Sequence, residues 1–277
     1  MGKMKFTSFY TLLLVLTSCN NNIKPKSSAM ETNQTPAIVA EPVSYTGDSV
    51  TMNGFVAYDS ALKGKLPVVM IIHEWWGIND YTKSRAKQLA ALGYLAMAVD
   101  FYGNGINGNN PDEAQKLAMP FYENPAKAQK RFDAALEKVK TYPQADTTKI
   151  AAIGYCFGGS MVLNMAALGE DLKAVVSFHG GLRTVPAQRN TLKAKILVCH
   201  GAADKFIQAD EIAAFRKNLD TVGAVYSFKA YDGALHAFSN PAATEIGKKF
   251  KMDIAYNAAA DTASWNDMKA FFKQYFY

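Results

Sequence analysis

Ile153-Gly154-Tyr155-Cys156-Phe157-Gly158-Gly159 is the stretch that decides the fold, because it places Cys156 between two glycines at positions i−2 and i+2. A strand that turns sharply into a helix strains the residue at the turn, so its neighbours at these two positions must be nearly free of side chains. A short, mainly apolar segment precedes the stretch at 149–153, and helix-forming residues follow it at 160–168. The pattern predicts a nucleophile elbow, whereas a lone free cysteine is more often a buried structural residue.

Strand and helix patterns alternate along the rest of the chain. The predicted strands span residues 50–58, 67–73, 94–99, 149–153, 174–179, 195–200 and 224–229. The predicted helices span residues 81–92, 124–142, 160–168, 210–219 and 260–275. Because such alternation favours parallel pairing, the sequence predicts an α/β fold with a doubly wound, mostly parallel sheet and helices on both faces.

Three chemically active residues follow predicted strands in the order cysteine, aspartate, histidine. Cys156 follows the elbow strand, Asp204 follows the strand at 195–200, and His236 lies in the loop after the strand at 224–229. Active groups of open α/β sheets gather at the carboxyl ends of the strands. The order is the one that α/β-hydrolases use, with the histidine taking the proton and the carboxylate fixing its tautomer. Taken singly, Asp204 is typical of a turn or a helix cap, and His236 of a surface loop.

Glu74 directly follows the predicted strand at 67–73, in the run His73-Glu74-Trp75-Trp76-Gly77. In this fold the same loop supplies an oxyanion-hole amide, so we predict that the backbone N–H groups of Trp75 and Phe157 stabilise the oxyanion. We also predict that Glu74 accepts a hydrogen bond from the Cys156 thiol and masks it until substrate displaces the carboxylate. The alternative is that Glu74 caps the following helix.

Five motifs together resemble the dienelactone hydrolase family from about residue 45 to the end of the chain. They lie at residues 73–77, 154–159, 178–181, 201–204 and 236–238. The resemblance implies a cysteine hydrolase with the α/β-hydrolase fold that opens enol-lactones or cleaves small esters through an acyl-enzyme. It also implies Cys156, Asp204 and His236 as the triad, with Glu74 as the partner of the thiol.

The arginines depart from that family pattern. Dienelactone-cleaving relatives hold the substrate carboxylate with arginines, one of them shortly after the histidine, whereas no arginine follows His236 here. Aromatic residues lie near the predicted site instead, and we assign to the substrate pocket Trp76, Tyr102, Phe206 and Phe238. The alternative, for at least half of such aromatics, is a place in the core. An uncharged ester, lactone or thioester therefore fits better than dienelactone itself.

The N-terminus has the composition of a secretory signal. Lysines precede an apolar run at 9–16 that is too short to span a bilayer. Leu16-Thr17-Ser18-Cys19 resembles the bacterial lipobox, which implies cleavage before Cys19 and a lipid on its sulfur. The alternative is an ordinary signal peptide that is cut elsewhere.

Three segments follow from this interpretation. We predict a signal peptide at 1–18, a lipidated Cys19 with a flexible tether at 19–42, and a hydrolase domain at 43–277. The protein is therefore expected to be exported and anchored to a membrane through Cys19, either in the periplasm or on the cell surface.

The charge and the cysteine count restrict the kinds of partner, metal site and disulfide that we expect. The formal charge of +6 is spread along the chain without a block of like charges, so nucleic acid is not indicated. Cys199 and His200 are neighbours on a predicted strand and point to opposite faces, so we expect no metal site, and we expect no cofactor. With Cys19 lipidated, Cys156 and Cys199 should be free thiols.

Other readings of the same sequence remain. One is a carboxylesterase or deacetylase that acts on cell-surface carbohydrate esters; others are a non-catalytic ligand-binding lipoprotein and a thiol that senses oxidation. A binding protein would not need Cys156, Asp204 and His236 in catalytic order. The run at 179–181 resembles the glycine-rich oxyanion loop of lipases, but it follows the nucleophile instead of preceding it, so we predict a tight turn at a strand end.

Overall fold

Eight strands form a single sheet in the computed structural model, which describes residues 1–3 and 35–276. The strands are β1 (Ile38–Gly47), β2 (Val50–Asp59), β3 (Leu66–Ile72), β4 (Leu95–Val99), β5 (Ala145–Tyr155), β6 (Ala174–Phe178), β7 (Lys195–Gly201) and β8 (Tyr226–Tyr231). The helices are α1 (Asp80–Ala91), α2 (Pro111–Glu123), α3 (Pro125–Lys140), α4 (Phe157–Leu168), α5 (Ala209–Val222), α6 (Ala243–Phe250) and α7 (Ala258–Tyr275). Residues 4–34, which include most of the predicted signal segment, Cys19 and the first part of the predicted tether, lie outside the described residues.

The sheet is parallel except at one end. Its order is β1-β2-β4-β3-β5-β6-β7-β8, with antiparallel pairing of β1 with β2 and of β2 with β4, and parallel pairing between all later neighbours. Every residue of β4 and of β6 is buried, which explains why these strands are continuous apolar runs without alternation. The predicted doubly wound, mostly parallel α/β architecture is confirmed.

The two faces of the sheet bury separate apolar cores. On β3, Val68, Met70 and Ile72 pack in the core that also contains side chains of α2, α3, α4 and α5. Val69 and Ile71 pack in the opposite core, with side chains of α1 and α7. This division follows the two-residue period of a strand. The central strands, whose carboxyl ends carry the site, are therefore fixed from both sides.

The first strand begins at Ile38, so the predicted boundary between tether and domain near Val43 is too late. Residues 38–42 are part of β1, which pairs with β2 in unbroken antiparallel register from Ile38 opposite Asp59 to Gly47 opposite Val50. Backbone hydrogen bonds of the ladder hold this segment in place although its composition gives little strand signal.

Two helices, α2 and α6, were not among the predicted elements. In α2 the sequence signal is obscured because Pro120 lies inside the helix, where a proline normally argues against helical structure. The start of α2 is nevertheless well defined, since the Asn110 side chain accepts a hydrogen bond from the Glu113 N–H and Pro111 occupies the first turn. α6 spans only 243–250, which is too short for a clear helical period.

Candidate active site

The elbow between β5 and α4 holds Cys156 in a strained backbone conformation. Its φ is 53° and its ψ is −113°, a region that residues with a side chain rarely adopt. A Cβ on Gly154 would lie 2.0 Å from the Gly158 carbonyl oxygen, and a Cβ on Gly158 would lie 2.1 Å from the Ile72 carbonyl oxygen. The two glycines therefore allow the close contacts of the turn, and the structure contains the strand-turn-helix context that the sequence predicts.

Cys156, His236 and Asp204 form a continuous hydrogen-bonded series. His236 Nε2 lies 3.1 Å from Cys156 Sγ, and His236 Nδ1 lies 2.8 Å from Asp204 Oδ2. The other oxygen, Asp204 Oδ1, accepts a hydrogen bond from the Phe206 N–H at 2.8 Å. Because the carboxylate only accepts, His236 donates from Nδ1 and presents Nε2 to the sulfur. The side chain of Asp204 is fully buried, so its orientation is fixed.

The protonation of His236 depends on its two hydrogen-bonding neighbours. Burial alone would lower its pKa, but the Cys156 sulfur and the Asp204 carboxylate outweigh burial and raise the pKa of His236 to about 10. A protonated imidazole can stabilise a negatively charged sulfur at 3.1 Å and can later deliver its proton.

Glu74 lies in the wall of the same cavity, but it does not bind the thiol. Its Oε2 accepts a hydrogen bond from Asn240 Nδ2 at 2.6 Å, while the Cys156 sulfur faces His236. The predicted hydrogen bond between the thiol and Glu74 is therefore wrong for this structure, because Asn240 engages the carboxyl group instead. Burial raises the pKa of Glu74 to about 7, and Asn240, His236 and Arg85 partly oppose the rise.

Two backbone N–H groups are available beside the sulfur. Among the described residues, neither the Trp75 N–H nor the Phe157 N–H donates a hydrogen bond, whereas the next N–H in α4, that of Gly158, donates to the His73 carbonyl. The following peptide is held by Tyr102, whose hydroxyl donates to the Trp75 carbonyl oxygen at 2.8 Å. The two residues predicted for the oxyanion hole thus have unused donors.

An apolar cavity of about 220 Å³ opens beside the sulfur. It is lined by Glu74, Trp75, Trp76, Tyr122, Cys156, Gly181, Phe206, Ile207, His236, Ala237, Met252 and Ile254. Phe206 is half exposed at the mouth, with its ring centroid 5.1 Å from that of His236. Trp76 stacks on the Phe250 ring at 6.0 Å, which ties this wall to α6.

Two of the four aromatics predicted for the pocket do not line it. Tyr102 packs its ring against His73 and Phe157 and directs its hydroxyl to the Trp75 carbonyl, so it supports the loop from behind. Phe238 is fully buried and packs against His179 and Tyr231. Both predictions are wrong for the same reason: proximity to a motif in the chain does not fix the direction of a side chain.

Six lining residues were not predicted as part of the site: Tyr122, Gly181, Ile207, Ala237, Met252 and Ile254. Tyr122 stands at the end of α2, the helix whose pattern Pro120 obscures. The segment that carries Met252 and Ile254 reaches the site through an isolated bridge between His236 and Ile254. The other three lie beside residues that the sequence singled out, since Ile207 follows Phe206, Ala237 follows His236, and Gly181 ends the motif at 178–181.

Within residues 35–276, no arginine or lysine side chain lines the cavity, so His236 is the one lining group that can carry positive charge. Arg85 is buried behind the site, where it pairs with Asp261 and donates to the Ser239 carbonyl. Arg183 pairs with Glu211 on the surface. Over the same described range, no group of three or more His, Cys, Asp or Glu side chains has an arrangement suited to a metal ion.

Comparisons with known proteins place the chain among hydrolases of one family. The model of the dienelactone hydrolase family matches residues 52–276. A protein of Aquifex aeolicus that is named as a carboxymethylenebutenolidase is 28% identical over 246 residues, covering 86% of this chain and 99% of that protein. A protein of the same name from Escherichia coli (strain K12) is 27% identical over 256 residues, covering 87% of this chain and 90% of that protein.

A solved structure supports the same grouping. The crystal structure of a dienelactone hydrolase-like promiscuous phosphotriesterase from metagenomic libraries is 31% identical in sequence, with a TM-score of 0.81. The match covers 87% of this chain and 99% of that chain. The chain therefore belongs to the dienelactone hydrolase family and is a hydrolase that acts on ester bonds.

Proposed function

We propose that this protein hydrolyses small, uncharged esters or lactones through a thioester intermediate on Cys156. The observation that carries the proposal is the 3.1 Å contact between His236 Nε2 and the Cys156 sulfur beside an apolar cavity. Asp204 completes the series at 2.8 Å. The arrangement matches the requirements of nucleophilic catalysis, in which a base activates the nucleophile and a third group orients the base.

In the first half-reaction the Cys156 thiolate attacks the carbonyl carbon, and the carbonyl oxygen becomes an oxyanion near the Trp75 and Phe157 N–H groups. One such donor contributes roughly 3–4 kcal/mol to transition-state stabilisation. The bond between the carbonyl carbon and the alkoxy oxygen then breaks. His236 gives its proton to the leaving oxygen, so an alcohol departs and an acyl thioester remains on the sulfur.

In the second half-reaction water replaces the alcohol. The neutral His236 accepts a proton from water as the water oxygen attacks the thioester carbonyl, and the oxyanion forms at the same N–H groups. The bond from carbon to sulfur breaks, which releases a carboxylic acid and restores the thiolate beside a protonated His236. For a lactone, the alcohol and the acid are parts of one hydroxy acid.

The cavity restricts the substrate class. Its volume of about 220 Å³ is below the range of pockets that enclose drug-sized ligands, so it suits an acyl group of a few carbons. Its wall offers apolar side chains, Glu74 and His236 but no arginine or lysine, and His236 is already engaged by Asp204 and the Cys156 sulfur, so a free carboxylate on the substrate would lack a partner. A neutral ester, lactone or thioester meets both conditions better than a dicarboxylate.

One observation favours a second candidate reaction, the hydrolysis of uncharged phosphotriesters. A relative that is 31% identical is described as a promiscuous phosphotriesterase. The Cys156 thiolate would attack phosphorus in the same cavity, the bond from phosphorus to one alkoxy oxygen would break, and His236 would give its proton to the departing alcohol. Water activated by His236 would then break the bond between sulfur and phosphorus, which releases a phosphodiester and restores the thiolate.

The proposal extends to location: the protein is exported and held at a membrane by a lipid on Cys19. Support comes from the lipobox resemblance at residues 16–19. No helix in the described part of the chain has the length and apolar character needed to cross a membrane. Incorporation of a labelled fatty acid into the full chain, but not into Cys19→Ala, would be the expected result; equal labelling of both would contradict attachment at Cys19.

The experiment for the reaction compares the full chain with Cys156→Ala and with the matched control Cys199→Ala. Cys199 is a second free cysteine, fully buried in β7. The panel contains p-nitrophenyl acetate and butyrate, an enol-lactone, an acyl thioester, an acetylated sugar and a neutral phosphotriester. Activity should disappear in Cys156→Ala only. Equal activity in both variants would reject the thiol mechanism, and a preference for the acetylated sugar would move the assignment to a deacetylase.

A further inference from the structure

His179 lies directly behind the nucleophile. It follows β6, has a φ of 41°, and its side chain is completely buried. Its Nδ1 lies 3.1 Å from the backbone nitrogen of Cys156, which also donates to the Phe178 carbonyl at 3.0 Å. The sequence predicts only a tight strand-end turn at this position, and the positive φ agrees with a turn. The contact with the Cys156 N–H adds a connection to the strained residue of the elbow.

The same ring also reaches the loop that carries His236. Because the Cys156 N–H can only donate, Nδ1 of His179 accepts, and the ring proton is on Nε2. Nε2 lies 2.8 Å from the Ser239 hydroxyl, which in turn lies 2.7 Å from the Tyr81 hydroxyl. Ser239 stands three residues after His236, and its carbonyl accepts a hydrogen bond from Arg85 at 2.8 Å. This loop is therefore anchored on both sides of Ser239.

We infer that His179 is a positioning residue for the proposed reaction, because it ties the backbone of the nucleophile to the loop that carries the base. The inference rests on the proposed function. Sulfur and imidazole sit on different segments, Cys156 after β5 and His236 after β8, and the His179 side chain hydrogen-bonds both segments. It holds the distance on which proton transfer depends, without touching the substrate.

The positioning role requires a neutral His179. A second proton would place an N–H at Nδ1 against the Cys156 N–H, and the contact would become repulsive. Burial lowers the pKa of His179 well below its ordinary value, and the nearby positive charges of His236 and Arg85 lower it further. The groups around the ring are His236 at 5.4 Å, Phe238 at 5.2 Å and Tyr155 at 6.0 Å between ring centroids, together with the Ser239 hydroxyl.

Three variants separate the two contacts. His179→Leu removes both. His179→Asn keeps an acceptor where Nδ1 stands and tolerates positive φ, but it loses the contact with Ser239. Ser239→Ala removes the same contact from the other side, together with the contact between Ser239 and Tyr81. A misplacement of about 1 Å can cost about 100-fold in rate, so we expect kcat to fall about 100-fold in His179→Leu, with KM nearly unchanged. In His179→Asn and in Ser239→Ala we expect a loss of about 10-fold.

A loss of kcat at an unchanged melting temperature is the readout that a merely structural role would not produce. Combining His179→Asn with Ser239→Ala should lower kcat no further than Ser239→Ala alone, because both changes remove the contact between His179 and Ser239, and the contact between Ser239 and Tyr81 is lost with Ser239→Ala in either case. The matched control is His200→Leu, a buried histidine in β7 whose ring packs on Phe228 and which should keep the activity. Thermal unfolding and the rate of iodoacetamide alkylation at Cys156 are measured on the same full-length proteins.

The results divide clearly. Recovery of activity from His179→Leu to His179→Asn, with a non-additive double variant and similar melting temperatures, supports the inference. Full activity in His179→Leu overturns the inference. It is also overturned if kcat falls only in proportion to the melting temperature, or if the losses of kcat in the two single variants multiply in the double variant. If Cys156→Ala is also fully active, the proposed function itself fails; if only His179→Leu is active, the thiol mechanism stands and the positioning role falls.

Discussion

Replacement of Glu74 by glutamine should change how the stability of the protein depends on pH. Burial raises the pKa of the Glu74 carboxyl from 4.5 to about 7, so the folded state binds this proton more tightly than the unfolded chain does. The wild-type protein therefore loses stability as the pH rises from about 4.5 to about 7. Each pKa unit corresponds to about 1.4 kcal/mol, so the loss is about 3 kcal/mol. Glutamine has the shape of the neutral acid and cannot ionise.

The free energy of unfolding of Glu74→Gln, measured relative to that of the wild-type protein, should therefore be about 3 kcal/mol higher at pH 8 than at pH 4. For a protein of this size each kcal/mol corresponds to about 2–4 °C, so the difference in melting temperature should change by about 6–12 °C. Urea and thermal unfolding at half-unit pH steps would measure it. The exposed Glu123 offers the matched control, since Glu123→Gln should alter stability by less than about 0.5 kcal/mol throughout. A constant difference between wild type and Glu74→Gln from pH 4 to pH 8 would refute the reasoning.

Three further predictions concern other parts of the site. Asp204→Asn should lower kcat by about 10²–10⁴ because the amide no longer fixes the tautomer of His236; a steady-state assay showing less than a tenfold loss would contradict this. Gly158→Ala should cost about 3 kcal/mol or more or prevent folding, because its Cβ would lie 2.1 Å from the Ile72 carbonyl oxygen; unchanged unfolding in urea would show that the turn can relax. Phe206→Ala should raise KM about 3–30-fold at nearly constant melting temperature, since the ring is half exposed and lines the cavity; an unchanged KM on the preferred ester would exclude Phe206 from substrate contact.

Local chemistry explains what could be predicted from the sequence. The elbow can be recognised in the sequence because the close contacts of the turn require glycine at both 154 and 158, within five consecutive residues. Asp204 and His236 could be located because the carboxyl ends of parallel strands meet at one edge of a sheet, so position after a strand is already spatial information.

Other parts of the site depend on contacts that chain order does not encode. Asn240 Nδ2 donates a hydrogen bond to the Glu74 carboxyl group at 2.6 Å, and the Cys156 thiol contacts His236 and not Glu74. Tyr122 was not predicted because Pro120 obscures the sequence pattern of the helix that carries it. The side-chain directions of Tyr102 and Phe238 are set by packing. β1 gave little signal because its place in the ladder depends on pairing with β2 and not on its own composition.

The reacting groups and the side chains of the cavity wall belong to different kinds of structural element. Cys156 and Asp204 stand at the ends of strands packed on both faces, whereas Tyr122, Phe206 and Met252 belong to a helix end and two connecting segments. Substitutions on these three side chains can reshape the space for an acyl group without disturbing the sheet. A small combinatorial library at these positions is thus a direct route to new substrate preferences, with the chemistry unchanged and most of the stability retained.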